Sequence, residues 1–315
     1  MRYRQMGNSG LVVSVVGLGC NNFGRRLDEA GSVRVVRAAL DSGITLFDTA
    51  DVYGAGDSEV YLGKALGPRR QDAIIATKFG FSMGEGPYQK GASRRYMIAA
   101  VEASLRRLGT DYIDLYQLHT PDAETPIEET LDTFDTLVTA GKVRYAGCSN
   151  FAGWQIADAA WTSRVGRTAP FVSGQNPYSL LNRAIEREVV PACLRFGVGM
   201  IPYSPLANGM LTGKYRRGEP MPEGARLTNN PRAERFVNER NFEVVEELER
   251  FAASRDIDLL SVAIGALAAQ PAVASVIAGA MSPEQVTANV RAGDWVPSDA
   301  DLAQIDRIAP SQRPE

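Results

Sequence analysis

The 315-residue chain predicts an α/β protein: a closed (β/α)8 TIM barrel with an N-terminal β-hairpin, built as one domain over residues 1–315. Three observations predict it. Eight short apolar runs alternate with amphipathic stretches of helical period, which is the rhythm of repeated β/α units. The runs are continuously apolar rather than alternating, so both faces of each strand are buried, as in a parallel sheet. No linker or break in composition divides the eight units, which favours one closed sheet over two open ones.

The hairpin is read from residues 3–6 and 11–14, with Gly7, Asn8, Ser9 and Gly10 as its turn. The strand runs follow at residues 15–20 (VVGLGC), 44–50 (ITLFDTA), 72–80 (DAIIATKFG) and 112–119 (YIDLYQLH), then at 143–150 (VRYAGCSN), 171–176 (FVSGQN), 199–206 (GMIPYSPL) and 273–280 (VASVIAGA). Between them, residues 32–42, 93–108 and 127–140 repeat apolar positions three and four apart, and Ser93 serves as an N-cap. Gly43, Gly109, Gly141 and Gly197 stand just past helix ends, where a left-handed residue is needed. Residues 259–283 carry no charge, yet Gln270 and Pro271 at their centre divide them into a buried helix, a turn and a buried strand. Residues 210–238, rich in Arg, Pro and Asn, read as an insertion, equally compatible with a mobile cover over a bound cofactor and with a plain surface loop.

Charge and composition exclude several classes of function. Thirty-four Lys and Arg against 37 Asp and Glu give a net charge of −3, without the concentrated positive footprint that a nucleic-acid or membrane partner needs. A small molecule is the expected partner. Cys20, Cys148 and Cys193 are far apart and odd in number, which argues against a disulfide framework and for a reducing, cytoplasmic location. The N-terminus lacks the pattern of a cleaved signal. With His119 the one histidine, multi-histidine metal sites are excluded, and no metal is expected. The glycines from Gly17 to Gly24 have the wrong spacing for a dinucleotide fingerprint, and Gly209 to Lys214 is one residue short of a P-loop.

In a barrel the active site collects at the C-terminal strand ends, so the polar residues that close each apolar run are the informative ones. The second run ends in Asp48, with Tyr53 five residues on; the third ends in Lys78 and the fourth in His119. The later runs end in Ser149 and Asn150, Gln175 and Asn176, and Tyr203 and Ser204. Four of these suggest proton transfer to a carbonyl. An ammonium at Lys78 favours the phenolate of Tyr53 and lowers its pKa from about 10. Asp48 pairs with Lys78, and a neutral His119 donates a hydrogen bond to the substrate oxygen. No side chain here donates hydride, so a cofactor must.

FDTADVYG (47–54), ATKFG (76–80), LYQLHTPD (115–122), GCSN (147–150), Gln175, YSPLANGMLTGKY (203–215) and IAGAMSPEQVTAN (277–289) together resemble the aldo-keto reductases over nearly the whole chain. The YSPLA-type loop is similar to that of the potassium-channel beta-subunit-like members. The resemblance implies a catalytic tetrad of Asp48, Tyr53, Lys78 and His119, with Tyr53 as general acid in reduction and general base in oxidation. It implies an extended NADPH, or NADH, across the strand ends. Cys20, Asn21 and Asp48 would lie near it, Ser149, Asn150 and Gln175 would hold the carboxamide, and Tyr203 would stack on the nicotinamide. Ser204, Pro205, Leu206, Asn208 and Lys214 would follow the pyrophosphate, while Gly279, Met281, Gln285 and Asn289 would cover the adenosine.

Met281 and Gln285 depart from the family pattern, because relatives often carry basic or hydroxyl residues there for the 2′-phosphate. Arg226 or Arg291, with Ser282, is expected to supply what they lack. The expected activity is reduction of an aldehyde or ketone, the substrate pocket being built from the loop at 79–94 and the C-terminus. A sugar or polyol dehydrogenase using NAD is one alternative. The other is a nucleotide-binding regulatory protein with little turnover, as in the channel subunits; the resemblance implies Asn in those where this chain has His119.

Overall fold

The computed structural model describes residues 1–228, 230–231 and 233–311. A hairpin of β1 (Tyr3–Gln5) and β2 (Val12–Ser14) precedes eight parallel strands, β3 (Val16–Gly19), β4 (Leu46–Asp48), β5 (Ile74–Phe79), β6 (Ile113–Leu118), β7 (Val143–Ser149), β8 (Phe171–Gln175), β9 (Gly199–Met200) and β10 (Val276–Gly279). They pair in chain order from β3 to β9, with β10 beside β3. The seam closes through the Met200 and Val273 bridge: Met200 N–H donates to Ala272 O at 2.7 Å and Ala274 N–H to Met200 O at 2.9 Å. The expected barrel and hairpin are therefore present.

The helices α1 (Glu29–Asp41), α2 (Asp57–Leu66), α3 (Arg94–Leu108), α4 (Ile127–Thr139), α5 (Gly153–Gly166) and α6 (Val189–Phe196) connect successive strands. Then come α7 (Glu239–Ala253), α8 (Leu259–Ala268), α9 (Pro283–Ala292) and α10 (Asp299–Ile308). Helix α1 starts three residues earlier than periodicity suggests, because Asp28 caps it by accepting from Gly31 N–H at 2.8 Å. Ser93 caps α3 as expected, and α8, a turn and β10 occupy residues 259–283. No helix among the described residues is long and apolar enough to cross a membrane. The seventh strand is much shorter than its run at 199–206, since Pro202 and Pro205 have no N–H for the ladder.

Strand parity sets the two cores. Val16, Leu18, Phe47, Ile75, Phe79, Tyr116 and Cys148 point outward and pack under the helices. Leu46, Ala76, Leu115, Ile201 and Ile277 point inward and join Met6, Leu11 and Val13 of the hairpin, which plugs the barrel floor. Two residues above the inward Leu46, Ala76 and Ile277 stand Asp48, Lys78 and Gly279; four above Leu115 stands His119. The same parity that fills the barrel with apolar side chains lifts these groups to its upper mouth.

Candidate active site

Lys78 is fully buried beneath that mouth, with its Nζ 2.7 Å from Asp48 Oδ1 and 2.8 Å from both Asp48 Oδ2 and the Thr49 carbonyl. Gln175 Nε2 donates to Asp48 Oδ1 at 2.8 Å, so the carboxylate is held from two sides. Burial works against the Lys78 ammonium, but Asp48 and then Tyr53 support it, and its pKa ends above the ordinary value. The Lys78 Nζ lies 5.0 Å from the Tyr53 ring centroid.

A sharp turn carries Tyr53 over this pair. Gly54, Ala55 and Gly56 are all left-handed, with φ of 58°, 54° and 104°, and a Cβ on Gly54 would stand 2.9 Å from Phe23 O. Ala55 accepts that conformation despite its Cβ, a local strain of the kind that collects at functional sites. Burial raises the Tyr53 pKa above 10, with the Lys78 charge pulling the other way. Lys78 lowers it as expected, but loss of solvent outweighs the ammonium, so the net shift is upward.

His119 meets Tyr53 edge to face, with ring centroids 5.7 Å apart, and Phe81 covers its other side at 4.4 Å. Burial, reinforced by Lys78, takes its pKa from 6.5 down to about 2, so the ring is neutral at physiological pH. Its buried Nδ1 has no hydrogen-bond partner among the described residues. Buried N–H groups without a partner are rarer in folded proteins than buried acceptors without one, which assigns the proton to Nε2.

Asn150 ties the rim together: its amide donates to His119 O at 2.9 Å and accepts from Tyr203 Oη at 2.9 Å. Ser149 Oγ donates to Gln175 O at 2.9 Å. Asn150, Ser204 and Asn208 hold φ of 62°, 53° and 57°. Asn tolerates that region; Ser204 is strained there.

These groups floor a cleft of about 800 Å³. Asn21, Asp48, Tyr53, His119, Ser149, Asn150, Gln175, Tyr203, Ser204, Pro205, Leu206, Asn208, Lys214, Arg226, Gly279, Met281, Gln285 and Asn289 all line it. Cys20 does not. Its side chain follows Val16 and Leu18 outward into the helix-facing core, and Gly19 occupies the cleft instead. Arg291 also lies away from the cleft, exposed and paired with Asp258 at 3.3 Å, while Ser282 caps α9 by accepting from Gln285 N–H.

The insertion reaches the site. Tyr215 Oη donates to Asn208 O and accepts from the buried Leu227 N–H at 3.1 Å, which brings Gly224, Ala225 and Arg226 to the cleft. Arg26 donates to Gly224 O at 2.5 Å across it. Asn229 and Arg232 of the insertion, and residues 312–315 of the C-terminus expected at the substrate pocket, lie outside the described residues. Sequence reasoning missed Asn22 and Arg26, although both follow the first barrel strand and the strand-end rule pointed there, whereas Phe81 lies in the 79–94 loop expected at the substrate pocket.

Burial lowers the pKa of Lys214 and of Arg226; Arg26 and Arg226 repel the first, and Arg26 and Arg25 the second. Cations crowded in a polar groove fit a ligand with several phosphate charges. A neutral imidazole beside a phenol, with a buried ammonium beneath, fits proton delivery to an oxygen.

A family model described as the aldo/keto reductase family matches residues 15–310. A probable voltage-gated potassium channel subunit beta of Oryza sativa subsp. japonica is 36% identical over 311 residues, covering 94% of this chain and 92% of that protein. An uncharacterized oxidoreductase of Bacillus subtilis is 42% identical over 225 residues, covering 68% and 69% of the two chains. The versiconal hemiacetal acetate reductase of Aspergillus parasiticus is 34% identical over 290 residues, covering 84% of each.

Proposed function

The chain belongs to the aldo/keto reductase family, and from that premise we propose that it is an NADPH-dependent oxidoreductase, one barrel domain that reduces an aldehyde or ketone to an alcohol. The observation that carries the reading is Tyr53 set above the buried Asp48 and Lys78 pair and edge-on to a neutral His119.

NADPH, when bound, supplies the hydride. Ser149, Asn150, Gln175 and Tyr203 would receive its nicotinamide end, with Asn21 at the mouth of the first barrel strand. Ser204, Pro205, Leu206, Asn208 and Lys214 would follow the pyrophosphate; Gly279, Met281, Gln285 and Asn289 would take the adenosine. Arg226 would meet the 2′-phosphate, since it lines the cleft and Arg291 does not. The proton moves from the Tyr53 hydroxyl to the carbonyl oxygen, while His119 Nε2–H stabilises charge growing on that same oxygen. Lys78 steadies the phenolate left behind, and Asp48 keeps Lys78 protonated. The alcohol leaves after Tyr53 regains a proton from solvent.

Three buried free thiols suit the reducing cytoplasm, where we place the protein. A second reading, a nucleotide-binding channel subunit with little turnover, rests on the Oryza relative. A panel of carbonyls and alcohols followed by nicotinamide absorbance with both cofactors separates the two. Steady reduction supports an enzyme, whereas tight cofactor binding with no turnover on any carbonyl favours the subunit.

A further inference from the structure

The outer face of α5 departs from the pattern of the other barrel helices. Helix α4 turns Glu128 and Asp132 to solvent and α7 turns Glu243, Glu247 and Arg250, each burying its apolar side. Helix α5 buries Ile156 and Ala159 in the barrel core and still carries Trp154, Trp161 and Val165 on the outside, 65%, 53% and 83% exposed. With the exposed Asp158 they form one stripe, spaced four, three and four residues apart. Helix α6 continues the patch. Leu194 is 53% exposed, Trp161 meets Phe196 edge to face with ring centroids 6.2 Å apart, and the Arg164 guanidinium lies over both rings at 5.1 and 5.7 Å. Neither Asp158 nor Arg164 has an ion pair among the described residues. Contiguous apolar surface of this kind, unlike exposed side chains scattered singly, marks an interaction site.

The stripe is complementary to itself. Two copies of α5 packed antiparallel about a two-fold axis set each position against the one equally far on the other side of the middle, which falls between Asp158 and Trp161. Trp154 then meets Val165 of the other copy, and Asp158 meets Trp161, whose indole N–H donates to its carboxylate. Arg164, one turn beyond Trp161, comes within reach of the same carboxylate. The axis also suits α6. Gly153 N–H donates to Glu188 Oε1 at 3.3 Å and Trp161 meets Phe196, so α5 and α6 run side by side in one direction, and the middle of the stripe is level with Leu194. Leu194 therefore meets its own copy near the axis. A parallel pairing would instead set Asp158 against Asp158, like charges in the centre of an apolar seam.

We propose that this face binds a second copy of the chain, forming a two-fold homodimer through α5 and α6. The 14 residues of α5 give a length of about 21 Å, and with α6 beside it the face is about 20 Å wide, on the order of 400 Å² in projection. That lies at the lower end of specific interfaces, so the dimer dissociates in the micromolar range. None of these residues lines the cleft, and the proposal stands apart from the reductase reading.

Sedimentation velocity of the whole chain from about 1 to 200 µM tests it. Wild type should pass from monomer to dimer over that range, and Trp161→Glu should weaken the association by at least about thirty-fold, leaving a monomer throughout. Asp158→Arg and Arg164→Asp should each be monomeric alone, because each sets like charges across the axis. Mixed in equal amounts the two should associate, since both contacts of the mixed dimer again join opposite charges. That rescue cannot come from misfolded protein, and melting temperatures at about 1 µM, where wild type is itself monomeric, should agree for all four proteins. A wild type that stays monomeric at about 200 µM overturns the proposal; if it sediments with phosphatidylserine vesicles instead, the face belongs to a lipid surface. A Trp161→Glu protein that dimerises as wild type does overturns the choice of face, and a mixture that stays monomeric overturns the antiparallel arrangement.

Discussion

Tyr53 and His119 meet edge to face, yet they answer to different forces. The Tyr53 phenol is raised by burial and drawn down by Lys78. Deleting its hydroxyl removes the general acid and little else, so Tyr53→Phe should lower kcat by roughly 10² to 10⁴. Cofactor affinity, measured by fluorescence titration, should stay within a few-fold of wild type. His119 is depressed to about 2 and stays neutral across the physiological range. The sign for stability follows directly. Between the ordinary 6.5 and about 2 the unfolded chain binds a proton that the folded chain refuses, so stability is present above 6.5 and drains away as pH falls below it. His119→Asn lacks that liability. Its stability to denaturant relative to wild type should rise steadily as pH drops from about 6.5 to about 4.5, and a difference without slope there would show that the ring takes up its proton in the fold.

At the level of the element, the hairpin and the strand ends divide the work. Gly7 lies against the start of β9, where a Cβ would stand 2.2 Å from Gly197 O and 2.6 Å from Gly199 N. That close approach, at φ +55°, lets Met6 enter the barrel floor with Leu11 and Val13. Met6→Ala would leave a cavity beneath Leu46 and Leu115, at a cost of roughly 2 to 5 kcal/mol. Chemical denaturation should register that loss while kcat per folded molecule stays near wild type, because the site stands at the opposite mouth. A fall in kcat would mean that the floor transmits to the strand ends.

Across the whole molecule, the cleft is covered because the first and seventh barrel units send connections over the mouth that meet there. Arg26 after β3 meets Gly224 of the insertion, and Arg226 enters beside Lys214. A charge-assisted contact to a 2′-phosphate contributes about 1.5 to 3 kcal/mol, so Arg226→Ala should weaken NADPH by roughly ten- to a hundred-fold and leave NADH nearly unchanged. Dissociation constants for both cofactors at two ionic strengths check this, with the NADPH penalty shrinking in added salt. Equal losses for both would move Arg226 from the 2′-phosphate to the pyrophosphate.

The sequence by itself determined the barrel, its hairpin and the strand ends that bear polar groups. Those features are local: continuous apolar runs require burial on both faces, glycines mark helix ends, and a period of two carries Leu46 to Asp48 and Ala76 to Lys78. It also singled out most cleft residues, because motif and strand end coincide in this fold. Tertiary structure decided what depends on neighbours distant in the chain. Whether the Tyr53 pKa ends above or below its ordinary value is a contest between desolvation and the Lys78 charge that no spacing reveals. Strand parity, fixed only once register is fixed, turned Cys20 outward and gave its place to Gly19. Arg291 met Asp258 across a helix junction, while Tyr215 folded the insertion inward and delivered Arg226. Glu59 met Thr77 and Arg107 only because α2, β5 and α3, far apart along the chain, pack together.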